Sequence, residues 1–130
     1  MNTTGNLFSL DVYPKKGIEQ RETVGAQVGL AITRSVSMGC STPPGVWCND
    51  NGEGIAVIVL SGEAGVLVKG EKTPRILAGG DYLMVPGSKN YRIEWTHPSE
   101  PTVLLAIRKN GWTDHMRTRP DNEIQDIDIV

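Results

Sequence analysis

Histidine, cysteine and aromatic residues are all scarce in this chain of 130 residues. It has two histidines, two cysteines and 5% aromatics. Two imidazoles, His97 and His115, cannot build a three-histidine metal site within one chain. Cys40 and Cys48 lack CxxC spacing. They read as free thiols, with a disulfide between neighbouring strands left open. No apolar run approaches the roughly 20 residues that a membrane-spanning helix needs. Met1 to Ser9 lacks the basic segment and apolar stretch of a secretory signal. A net charge of -2 offers no basic field to nucleic acid or to an anionic membrane. These absences predict a cytoplasmic protein whose partners are neither nucleic acid nor membrane.

Glycine and proline, by contrast, are plentiful, with 15 and 8 copies. They punctuate short apolar runs, as in a chain that turns often. Strands are predicted over 28–36, 55–60, 65–68, 75–77, 82–85, 91–96 and 102–108. Ile55 to Leu60 is a continuous apolar run too short for a helix, and it suits a strand covered on both faces. Ile18 to Thr23 fits a helical turn. Short strands separated by Gly/Pro turns point to an all-β sandwich or barrel. The length fits one domain with a core of its own. The expected organisation is an N-terminal arm over 1–25, a barrel over 26–110 and a polar C-terminal tail over 111–130. Ile124, Ile127, Ile129 and Val130 give that tail some apolar surface, fit to dock on the barrel or on a second subunit.

Two stretches carry a family resemblance. Gly80 and Pro86 have the spacing of the second cupin motif, with Gly-Asp before a strand and Pro-Gly after it. Ser88, Tyr91 and Trp95 stand where that motif has Gly, a metal-binding His and Asn. Gly62 matches the closing glycine of the first motif. Counting back from it, Ile55 falls on the Glu position. Asn49 and Asn51, or Cys48 and Asp50, fall on the His positions. Pro43 to Cys48, Leu60 to Ala64, Gly80 to Pro86 and Arg92 to Ala106 resemble a branch of small bacterial single-domain cupins. The resemblance implies a cupin double-stranded β-helix, or jelly-roll barrel, with short N-terminal and C-terminal extensions. An apolar outer face of Ala56, Ile58 and Leu60 needs cover from another strand, the N-terminal segment or a partner, and the resemblance implies a homodimer through such a surface.

No metal ligand of either motif is retained, so no metal and no cofactor are assigned. Cys48, Asp50 and Glu53 share one loop, but its Asn, Asp and Gly residues are explained by turn chemistry without an ion. In the family register, Tyr91, Ile93 and Trp95 point inward, opposite Ile55 and Val57. Trp47, Asn49 and Asn51 lie at the mouth. These residues predict a pocket for a small organic ligand in the barrel interior, working without metal. An alternative is an isomerase, lyase or cyclase with Tyr91 and Glu53 as acid and base. The third reading is a structural module whose interior is filled by side chains, Tyr91 occupying the space that a histidine and metal would take.

Overall fold

Eight strands carry the architecture, in a computed structural model that describes residues 4–10, 13–27, 29–49 and 52–109. They are β1 (Gln20–Gln27), β2 (Leu30–Ser37), β3 (Ile55–Ser61), β4 (Glu63–Val68), β5 (Arg75–Ala78), β6 (Tyr82–Val85), β7 (Tyr91–Thr96) and β8 (Thr102–Arg108). Among the described residues there is no helix, so none is long and apolar enough to cross a membrane. One sheet has the order β1-β2-β8-β3-β6 and the other β5-β4-β7, with every neighbouring pair antiparallel. Neighbours distant in sequence, such as β2 with β8 and β4 with β7, give the jelly-roll path.

The strands expected from sequence are present, and one more is found. β1 occupies 20–27, where a helical turn and a terminal arm were expected, so the sheet begins inside the 1–25 segment. Its Gln, Arg, Glu and Thr residues give no apolar alternation, and pairing with β2 fixes it as an edge strand. The tail over 111–130, with His115, lies outside the described residues.

The continuous apolar run of β3 is explained by its two covered faces. Ile55, Val57 and Val59 enter the core with Val66, Tyr91, Leu104 and Ala106. Ala56, Ile58 and Leu60 lie half-buried on the outer face. At β2 the faces are the reverse of the usual pattern. Thr33 and Ser35 pair with Ala106 and Leu104, both core residues, so the hydroxyl face of β2 points inward. Arg34 points outward, yet it is buried, because the N-terminal segment covers it. Its Nη1 donates to the carbonyls of Leu7 (2.9 Å) and Ser9 (3.0 Å), and its Nη2 pairs with Glu22 at 3.1 Å. Between β3 and β4, Gly62 has φ 86°. A Cβ there would lie 2.5 Å from Thr102 Oγ1, so the turn that carries the chain from one sheet to the other requires glycine.

Candidate functional site

β7 carries an irregularity that decides which side chains reach the interior. Val66 pairs with Ile93, but the next residue back, Gly65, pairs with Trp95. Glu94 is the extra residue, a β-bulge that resets the alternation. Ala64 then faces Thr96, so Thr96 enters the interior and Trp95 turns to the outer face, over Gly65. This corrects the inward placement of Trp95, which assumed an unbroken strand.

The bulge builds one wall of a cleft of about 280 Å³. Glu19 and Arg21 line it from β1 and its approach, and Ser35 and Ser37 from β2. Cys40, Ser41, Thr42 and Pro43 line it from the segment after β2, and Ile93, Thr96 and Leu104 form the floor. Within it, Glu19 Oε1 pairs with Arg21 Nη2 at 2.8 Å, and Ser35 Oγ donates to Glu19 Oε2 at 2.5 Å. Thr96 Oγ1 accepts from the Cys40 amide at 2.8 Å and donates to the Cys40 carbonyl at 3.2 Å, tying the rim to β7. Thr42 exchanges backbone bonds of the same kind with Ile93: its amide donates to the Ile93 carbonyl, and its Oγ1 accepts from the Ile93 amide, both at 2.9 Å. The rim is held from outside by Arg92, whose guanidinium donates to the carbonyls of Thr42 (2.9 Å), Pro43 (3.3 Å) and Val46 (3.4 Å).

Of the residues read from sequence as a pocket, only Ile93 lines this cleft. Ile55, Val57 and Tyr91 are packed in the core, Tyr91 at 2% exposure. Trp47 lies on the outer side, with Lys69 Nζ 5.4 Å and Arg92 Cζ 6.0 Å from its ring centre. Asn49 is exposed and organises a loop, donating to Asn90 Oδ1 at 2.6 Å and accepting from the Gly52 amide at 2.9 Å. Asn51 lies outside the described residues. Glu53 is exposed and pairs with Lys109 at 3.6 Å. With Tyr91 in the core and Glu53 at the surface, the expected acid and base are not brought together in the cleft. Neither cysteine is in a disulfide: Cys40 is half-buried on the cleft and Cys48 is buried beside Tyr91 in the core.

Sequence reasoning missed Ser35 and Ser37 because polar residues on an alternating strand are assigned to solvent, and Glu19 and Arg21 because their segment was expected to be a terminal arm with a helical turn. The available signal was Arg34 between Ile32 and Val36, which marks that face as a poor candidate for the inner core. Among the described residues the titration shifts lie away from the cleft, at the pair Glu71 and Arg75. There a hydrogen bond from Arg75 holds the exposed Glu71 carboxyl below its ordinary value.

The positions where the motifs would supply metal ligands hold Tyr91 and Ile55, both buried in the apolar core, and Asn49, already engaged with a loop. Among the described residues no group of three or more His, Cys, Asp or Glu side chains is placed to hold an ion. The donor set therefore does not fit a mononuclear metal centre at that place.

Two facing antiparallel sheets joined by long-range crossings define a double-stranded β-helix barrel, here with a polar cleft against its hydroxyl-bearing strand. No family model and no curated protein matches the chain. Solved structures do. A Ralstonia eutropha protein provisionally named a mannose-6-phosphate isomerase is 36% identical, covering 85% of this chain and 100% of its own, with a TM-score of 0.75. An RmlC-like cupin protein from Desulfovibrio desulfuricans is 20% identical, covering 83% and 96%, with a TM-score of 0.60. The polyketide cyclase RemF from Streptomyces resistomycificus is 15% identical, covering 70% and 64%, with a TM-score of 0.57. The last two share the fold alone. The chain belongs to the cupin family.

Proposed function

We propose that this cupin binds a small organic molecule in the cleft between β1, β2 and residues 40–43, and that it works without a metal centre. The lining is the observation that carries this reading: an ion pair and several hydroxyls beside the apolar side chains of Pro43, Ile93 and Leu104. Apolar wall with a few fixed polar groups is the usual composition of a small-molecule site. The reading departs from a pocket around Tyr91 and keeps its principle of shape plus hydrogen bonds. The test uses protein purified without an affinity tag, with metal content and thermal shift against a metabolite library measured on one sample. The expected result is no stoichiometric transition metal and at least one stabilising compound whose effect is lost in Ser41→Trp at the rim. A stoichiometric metal held by the barrel overturns the metal-independent part. A library without effect on the wild type overturns the ligand part.

A second reading, an isomerase, is favoured by a carboxylate in the cleft and by the name of the 36% identical relative. Glu19 would then carry the proton between neighbouring sugar carbons, in place of the Tyr91 and Glu53 pair. Aldose–ketose exchange abolished by Glu19→Gln with folding retained supports it. No exchange by the wild type on hexoses or hexose 6-phosphates rejects it. A homodimer belongs to the same proposal, supported by Tyr82 and Met84, which expose 67% and 63% of their surface on the outer side of β6.

A further inference from the structure

We infer that the cleft selects a neutral polyhydroxylated ligand of monosaccharide size, gripped through neighbouring hydroxyls by Glu19, and that it discriminates against the phosphate ester of the same compound. This rests on the cleft being the ligand site. Charge is the first argument. Among the described residues the lining holds one cation, Arg21, and one carboxylate, Glu19, joined at 2.8 Å. No lysine, histidine or second arginine among them lines it. A phosphate entering here meets a cation already neutralised and a carboxylate that repels it, and like-charge contact at short range is costly.

Hydrogen-bonding capacity is the second argument. An ionised carboxylate accepts about four hydrogen bonds. Glu19 is described with two, one on each oxygen, from Arg21 and from Ser35. The remaining acceptor site on each oxygen suits two hydroxyl donors on adjacent carbons, a group that is a donor where phosphate is not. Ser35 and Arg21 hold the carboxylate still, so little freedom is lost when the diol docks. Ser41 adds an exposed hydroxyl at the rim, and Pro43, Ile93 and Leu104 offer a surface for the C–H face of a ring. Size is the third argument. About 280 Å³ sits at the lower end of small-ligand sites, large enough for one sugar ring and too small for a nucleotide.

The experiment measures binding of neutral hexoses and hexitols, the same hexoses as 6-phosphates, and inorganic phosphate to the full chain. Calorimetry gives affinity, and protection of Cys40 from alkylation reports occupancy of the cleft. Neutral compounds are expected to bind and protect Cys40, with little dependence on salt. Glu19→Gln is expected to weaken them about tenfold or more, since a charged acceptor is lost, and to improve binding of the 6-phosphates, because Arg21 is no longer neutralised. Ser35→Ala, which frees the carboxylate without removing it, gives a smaller loss and no gain for phosphate. Tighter wild-type binding of the 6-phosphates or of phosphate, with Cys40 protected, overturns this inference and leaves the ligand site standing. Absence of binding and protection by every compound overturns both.

Discussion

The indole of Trp95 lies against Gly65 so closely that a Cβ on that glycine would stand 2.4 Å from the ring nitrogen. Gly65 is the partner of Trp95 across the β4–β7 ladder, and the Glu94 bulge puts the two on one face. The same bulge brings Thr96 inward, where it fastens Cys40 at the cleft rim. Outer packing of a tryptophan and inner placement of a threonine are therefore two results of one extra residue.

Gly65→Ala is expected to destabilise the barrel by about 1–3 kcal/mol, the usual cost of forcing one extra carbon into a packed site. Gly65→Ala with Trp95→Leu should recover much of that loss, since the clash is with the indole. Urea denaturation of the two singles and the double gives the coupling directly. Additive losses would show that the indole is not what excludes the methyl.

Arg92 joins the outer face of β7 to the cleft rim through the carbonyls of Thr42, Pro43 and Val46, and it also pairs with Glu94 at 2.8 Å. Arg92→Ala should loosen residues 42–46, read as faster amide exchange there and as a changed emission from Trp47, which sits beside the guanidinium. Arg92→Lys should be intermediate, because an ammonium cannot span several carbonyls as a planar fork does. Unchanged exchange in Arg92→Ala would mean that the backbone bonds of Thr42 hold the segment without help.

The barrel strands were legible in sequence because β3 is an apolar run, β8 is largely one, and β7 alternates apolar with charged residues, all bounded by turns. Gly62 was legible as the closing glycine of the first motif, and its φ and its closeness to Thr102 supply the cause. β1 was not legible, since its polar residues are held by pairing with β2 and carry no period of their own. The site was largely illegible for two physical reasons. One inserted residue at Glu94 flips Trp95 outward, and no periodicity rule locates a bulge. The inner face of β2 is its hydroxyl face, because Arg34 on the other side is satisfied by carbonyls of the N-terminal segment far away in sequence. Tyr91, chosen by its place in a motif, became a core residue beside Cys48.

Burial separates the two thiols in a way that chemistry can read. Cys40 is half-buried and lines the cleft, whereas Cys48 is 5% exposed within the core. One thiol per chain should react with an aromatic disulfide reagent under native conditions and two after denaturation. Cys40→Ser should remove the fast reaction and leave the slow one, which tracks global opening. Equal rates for both thiols would place Cys48 nearer to solvent than described.

The outer face of the five-stranded sheet is covered unevenly, and the uncovered part sets the expected oligomer. On the β2 and β8 side, Val36, Val103 and Leu105 are buried, and Arg34 between them is bonded to the N-terminal segment. On the β3 and β6 side, Tyr82 and Met84 stand exposed, opposite the half-buried Ile58 and Ala56. Ile107 continues the patch from β8, opposite Ala56. A second copy meeting this face about a twofold axis would set one apolar patch against the same patch, as closed dimers do. Light scattering at micromolar concentration should then give twice the mass of the chain. Met84→Lys should shift it to a monomer, because a charge at the centre of a small apolar interface is costly to desolvate. The β-sheet signal should be retained, since that side chain makes no part of the core. A wild-type monomer over the same concentrations would leave the patch without its partner and reject the dimer.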